Sequence, residues 1–219
     1  MGKALTNIQS FFSNSIPHFL SVNGSDIIAV RSEVVRKAIH LLIALCPVMA
    51  AVNKPFTIAF LLIGTLSYTL MEYLRLSGIK VPVISSITSM VLRKRDIGHF
   101  VMGPVTLGFG ALLALLLYPS TAAAIAIYAL AFGDGIASLV GKLFGRLRPA
   151  FLFGKSIEGS IACFAVVLIS AYAVSGSIHI ALVAAFTATI VEALPLNDYD
   201  NLVIPVSVGM AVQLVLNLT

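Results

Sequence analysis

Asp134 lies in Ala129-Leu130-Ala131-Phe132-Gly133-Asp134-Gly135, a carboxylate between two glycines inside an otherwise apolar run. A charge in such surroundings is costly unless a metal ion or a basic group compensates it. The flanking glycines let a ligand or a second helix approach the backbone closely. The segment continues as Gly133-Asp134-Gly135-x-Ala137-x3-Gly141-Lys142-x-Phe144-Gly145-Arg146. After a short basic loop comes Gly154-Lys155-Ser156-x-Glu158-Gly159-Ser160. Together these are the parts of a phosphate site. Carboxylates can hold Mg²⁺, which keeps waters and binds substrate phosphates, and lysine and arginine neutralise the remaining phosphate charge. Gly154-Lys155-Ser156 opens an expected helix, whose free N–H groups suit an anion. It is not a Walker A loop, because Pro149 occupies the required upstream glycine position. A glycine set for helix packing beside a basic loop has the same composition, and that reading stays open.

Other ionisable groups fall near the ends of apolar runs: Arg36, Lys37 and His40, then Glu72, Asp96 and His99, then Glu158, Glu192, Asp198 and Asp200. Charges within membrane spans mark a site or pathway by default. Glu72 reads equally well as an ion pair with Arg75, and His40 as a structural histidine. His18 and His179 read as interfacial. Cys46 and Cys163 lie in apolar runs with no spacing partner, which suggests small packing residues rather than a disulfide framework or a zinc site.

The elements that must position these groups follow from composition. Of 219 residues, 59% are hydrophobic and 11% are charged, against about a quarter charged in a soluble domain, and the mean hydropathy is +1.03. That excludes disorder, a coiled coil, a collagen-like repeat and an ordinary cytosolic enzyme. A spanning helix needs about 20 apolar residues, so seven would use about 140 and leave short loops. The apolar runs are continuous rather than alternating, unlike those of a β-barrel. The expected fold is an all-α integral membrane protein with about seven transmembrane helices at 34–52, 55–74, 100–118, 120–144, 156–175, 178–194 and 201–218. Residues 81–92 form an expected interfacial helix. Residues 1–33 form an N-terminal amphipathic cytoplasmic segment and not a signal peptide. Residues 34–219 form one membrane-embedded domain.

Of the fourteen lysines and arginines, only Lys54 falls on the far side of this arrangement. The positive-inside rule then puts the N-terminus and the basic loops in the cytoplasm and the C-terminus outside, as expected in the cell's inner membrane. The net charge of +5 suits an anionic leaflet and a polyanionic ligand, so no nucleic-acid partner is expected.

A series of ordered motifs resembles those of the CTP-dependent lipid-alcohol kinases, which include phytol kinase, dolichol kinase and CTP-dependent diacylglycerol kinases. They are Arg36-Lys37-x-x-His40, Gly103-Pro104, the Gly133-to-Gly141 and Lys155-to-Ser160 segments, and Val191-Glu192-x2-Pro195-x2-Asp198-x-Asp200-Asn201-x3-Pro205. The match covers roughly residues 34–212, and the Glu192-to-Asn201 stretch looks closest to the phytol kinases. The resemblance implies CTP as phosphoryl donor, Mg²⁺ or another divalent cation, and a membrane lipid alcohol as acceptor, either a polyprenol, a phytol-type isoprenoid alcohol or diacylglycerol. By matching position it implies that Arg36, Lys37, Asp134 and Gly141 are essential. On that basis Asp134 binds metal, with Glu158, Glu192, Asp198 or Asp200 completing the shell or acting as base. Metal ligation is expected of Asp134, Glu158 and Glu192. Nucleotide binding is expected of Arg36, Lys37, His40, Gly133, Gly135, Gly141, Lys142, Lys155, Ser156 and Asn201. The middle segment also resembles phosphatidate cytidylyltransferase, which attacks the α-phosphorus of CTP to make a CDP-lipid. That enzyme's acidic signature is replaced here by Asn197-Asp198-Tyr199-Asp200-Asn201, which favours γ-phosphoryl transfer. A small cation- or proton-coupled transporter is the alternative of another class, but its charges would line both leaflets.

Overall fold

The computed structural model describes residues 35–79 and 98–218. The expected amphipathic segment, the interfacial helix at 81–92 and Asp96 lie outside these. Among the described residues every regular element is helical. Helix α1 is Val35–Leu76, α2 is Gly103–Leu117, α3 is Ser120–Leu143, α4 is Ile157–Ser175, α5 is Ile178–Ala193 and α6 is Asp200–Leu218. Four helical stretches are long and apolar enough to cross a membrane: α1, α3, α4 and, with the turn before it, α6. The apolar helices α2 and α5 are shorter.

A straight helix of 42 residues would measure about 63 Å, twice the hydrocarbon thickness of about 30 Å. Helix α1 avoids this by breaking at Asn53, where the backbone is extended (φ −152°, ψ 94°). The Asn53 side chain accepts a hydrogen bond from Phe56 N–H at 3.0 Å and so caps a new helix start. Pro55 sits in that first turn, where its missing N–H costs nothing. The arms 35–52 and 54–76 match the first two expected spans. Their far ends meet, because Arg36, Lys37 and Tyr68 line one cavity.

Helix α3 is the central element and touches every other helix among those described. Its first half, Ser120–Tyr128, is rich in alanine, so neighbours can approach from all sides. Ala122, Ile125, Ala126 and Ile127 are fully buried. Pro119 and Tyr118 separate it from α2. Ser156 caps α4, and Gly176 ends it in the left-handed conformation (φ 65°). Pro205 lies inside α6 and has no N–H for the Asn201 carbonyl. Gly110 of α2 rests directly on that carbonyl. Tyr118 also ties α6, donating from its hydroxyl to Val206 O at 2.7 Å. The outer faces carry Ile63, Ile169, Phe186, Ile190 and Leu214, all largely exposed, as helices facing lipid require.

Candidate functional site

A cavity of about 480 Å³ opens at one end of the bundle, lined by α1, the start of α2, the second half of α3, the 144–156 loop, and the α5–α6 joint. Five cations line it: Arg36, Lys37, Lys142, Arg148 and Lys155. So do four carboxylates: Asp134, Glu192, Asp198 and Asp200. One wall is apolar, made by Ile39, Tyr68, Val101, Pro104 and Leu107. Lys54 lies at the other end, beside Ser120, Thr121 and Val174. Among the described residues, the five cations of the cavity and Lys54 therefore lie at opposite ends of the bundle.

Asp134 closes a π-helical stretch, Ala129–Asp134, in the middle of α3. Such widened turns occur often at functional sites. The group that compensates its buried charge is Lys37, whose Nζ donates to Asp134 Oδ2 at 2.5 Å. His40 Nε2 donates to Leu130 O at 2.8 Å, within the widened turn, and lies 3.4 Å from Asp134 Oδ2. One turn of α1 thus presents Lys37 and His40 to one carboxylate, which the spacing Arg36-Lys37-x-x-His40 makes possible.

A second ion pair, half-buried at its lysine, faces the same cavity. Lys155 Nζ lies 3.0 Å from Glu192 Oε1 and also donates to the Glu192 carbonyl. Glu192 is 5% exposed, and its Oε2 is buried without a hydrogen-bond partner. A buried carboxylate oxygen left unsatisfied carries the full desolvation cost.

Asp200 opens α6, and its Oδ1 accepts from Asn201 N–H at 2.8 Å. The Asn201 side chain points into the bundle and donates to Thr106 Oγ1 at 3.0 Å and to Gly103 O at 3.3 Å. It therefore latches the start of α6 to the Gly103-Pro104 start of α2, which holds Asp200 beside the apolar wall.

Twelve of the expected site residues line the cavity: Arg36, Lys37, His40, Asp134, Gly141, Lys142, Lys155, Ser156, Glu192, Asp198, Asp200 and Asn201. Gly133, Gly135 and Glu158 do not. Gly133 admits Val167 and Cys163 of α4, and Gly135 faces Leu41 and His40. Glu158 accepts from Arg146 N–H at 2.9 Å and Leu147 N–H at 3.2 Å, which ties down the 144–156 loop. Ser156 Oγ accepts from Gly159 N–H at 3.1 Å and is nested against Gly141, Gly145 and Gly159. Gly133, Gly141, Gly145 and Gly159 thus serve the packing of α3 on α4 and its cap, and Gly135 the packing of α3 on α1. Glu72 is fully buried, receives two hydrogen bonds from Arg75 at 2.8 Å and one from Val101 N–H at 3.0 Å, and is a structural ion pair. Sequence reasoning missed Arg148, whose guanidinium donates to Gly141 O and Gly154 O at 2.6 Å. It also missed Tyr68 and Phe153 in the cavity wall.

Among the described residues no three His, Cys, Asp or Glu side chains converge as a ready metal cage. Magnesium does not require one, since it is usually held by one or two carboxylates together with substrate phosphates. The unpartnered Glu192 Oε2 and the carboxylates of Asp134 and Asp200 on the same cavity fit that mode.

No family model matches this chain, and no solved structure matches it. Curated proteins do. A CTP-dependent diacylglycerol kinase 1 of Eremothecium gossypii is 29% identical over 114 residues, half of this chain and 35% of its own length. A probable chloroplastic phytol kinase of Triticum aestivum is 33% identical over 34% of this chain and 30% of its own length. The chloroplastic phytol kinase 1 of Arabidopsis thaliana is 26% identical over 212 residues, 84% of this chain and 67% of its own length. The chain thus spans about a third of the first two relatives. The proteins to which it is similar are a CTP-dependent diacylglycerol kinase and phytol kinases, as its motifs resemble.

Proposed function

We propose that this chain is a CTP-dependent lipid-alcohol kinase, transferring the γ-phosphoryl group of CTP to a polyprenol, a phytol-type isoprenoid alcohol or diacylglycerol and releasing CDP. The observation that carries this reading is one cavity lined by five cations, four carboxylates and a group of apolar side chains. Such a cavity suits a triphosphate meeting a lipid hydroxyl, and the similarity to lipid kinases supports it. In this reading the bundle spans the membrane seven times, and the cavity opens to the cytoplasm, where CTP is.

Phosphoryl transfer asks a protein mainly for positioning and charge neutralisation. Lys37, Arg36, Lys142 and Lys155 neutralise the triphosphate. Asp134 and Glu192 would hold Mg²⁺, which when bound screens the charge on the β- and γ-phosphates. The lipid hydroxyl, its chain along Ile39, Val101, Pro104 and Leu107, is oriented by α2. Its oxygen forms a bond to the γ-phosphorus while the bond from that phosphorus to the bridging oxygen breaks. Asp200, latched beside α2 through Asn201, takes the hydroxyl proton. Incubating purified protein with γ-labelled or α-labelled CTP and a lipid extract tests this. Label from the γ position should enter lipid and label from the α position should not. The reverse, with release of pyrophosphate, overturns the kinase reading in favour of a CDP-lipid synthase.

A further inference from the structure

We propose that Phe153 is the platform on which the base of the nucleotide stacks, an inference that rests on the nucleotide reading above and names its outer end. Phe153 adopts the left-handed conformation (φ 49°, ψ 38°), which is strained for a residue with a side chain. Burial of the ring does not compensate the strain, because Phe153 is 62% exposed. The conformation is imposed by the loop around it. Phe153 N–H donates to Ala150 O at 3.2 Å, Lys155 N–H to Leu152 O at 2.9 Å and Ile157 N–H to Leu147 O at 3.0 Å. Arg148 clamps Gly154 O to Gly141 O, and Glu158 holds the Arg146 and Leu147 amides. A loop fixed this firmly to keep an aromatic ring in the open is the kind of strain found at ligand clamps.

Position selects the ligand. Phe144, Leu147 and Phe151 of the same loop are also exposed, but only Phe153 among them lines the cavity, beside Arg148, Gly154 and Lys155. Tyr68, which also lines the cavity, belongs to the apolar wall and donates to Val101 O. A triphosphate held at Lys155 and Lys37 has its base outward, toward the rim that Phe153 forms. A ring face stacks on any base, so Phe153 supplies affinity for nucleotides in general and not the choice of cytosine.

The chain has no tryptophan, so Phe153→Trp introduces a single reporter into the detergent-solubilised full-length protein. CTP should quench its fluorescence, and tripolyphosphate, which has no base, should not. Phe153→Ala should weaken CTP and ATP binding alike by about tenfold and leave tripolyphosphate binding unchanged. Phe153→Gly relieves the left-handed strain while removing the ring, so it should be at least as heat-stable as wild type and equally weak toward CTP. Three results would overturn the proposal: no CTP quenching, equal quenching by tripolyphosphate, or quenching by vesicles of brominated phosphatidylcholine in place of CTP, which would make the ring a membrane anchor. Transfer of γ-label by the wild type is measured in parallel. If it occurs while the reporter ignores CTP, only this proposal falls; if it does not occur, the kinase reading falls with it.

Discussion

Removing either partner of the Lys37–Asp134 pair strands the other. Both side chains are nearly enclosed, at 6% and 7% exposure, and their charged atoms are 2.5 Å apart. Breaking one side of such a buried pair costs about 3–5 kcal/mol. Asp134→Asn keeps a side-chain oxygen, and Lys37 retains the Asp134 backbone carbonyl 3.4 Å away, so about 3 kcal/mol is expected. For a chain of this size that corresponds to a fall in Tm of about 6–12 °C. Turnover of CTP by the remaining folded protein should fall by at least about 10²-fold, the scale on which a preorganised electrostatic contact is lost. The double variant Lys37→Met with Asp134→Leu removes both charges and should regain wild-type stability or exceed it while staying inactive. Tm in detergent and specific activity, measured on the same preparations, separate the two roles. A stable and active double variant would show that the pair only holds the fold together. An Asp134→Asn protein as stable as wild type would refute the argument that Lys37 compensates the buried carboxylate.

Glu72→Gln should lower stability by about 1–3 kcal/mol through its weakened bonds to Arg75 and Val101, and the folded fraction should keep its specific activity, since Glu72 lies outside the cavity; denaturation and turnover assays check both. Gly110→Ala puts a methyl group onto the Asn201 carbonyl and should cost about 1–3 kcal/mol as α2 and α6 part, read as a lower Tm. A cysteine at Ser177 should react with an impermeant thiol reagent added outside the cell, and one at Leu147 should not; the reverse pattern inverts the orientation.

The helices were legible because continuous apolar runs punctuated by Pro119, Gly176 and Pro195 leave few other choices, and Asn53-Lys54-Pro55 announces the break in α1. The pairing of Glu72 with Arg75 could be read from a spacing of three residues. Asp134 announced the need for a partner, but its identity could not be read, because Lys37 lies 97 positions away and Lys142 and Lys155 are closer in sequence. The glycines around Asp134 were ambiguous for a physical reason: a missing Cβ serves a ligand and a neighbouring helix equally, and here Val167 and Cys163 fill the space beside Gly133. Glu158 has the charge of a metal ligand, and only the folded loop reveals that the amides of Arg146 and Leu147 claim it. Phe153 gave no signal, because a left-handed backbone is anticipated at glycine and not at phenylalanine.

The widened turn at Ala129–Asp134 also sets the angular phase of α3. Each residue of an α-helix advances about 100° around the axis, and a π turn accommodates one extra residue without unwinding its neighbours. The alanine-rich half before the turn can therefore keep the orientation that the bundle's centre demands, while the half from Asp134 onward takes its own orientation, so that Asp134, Ser138 and Lys142 face the cavity. Winding the same residues as regular α-helix, with none held in a widened turn, would carry the carboxylate about 100° round the axis and away from Lys37, with the upstream packing untouched. The site's aim and the bundle's stability are thus set by separate stretches of one helix.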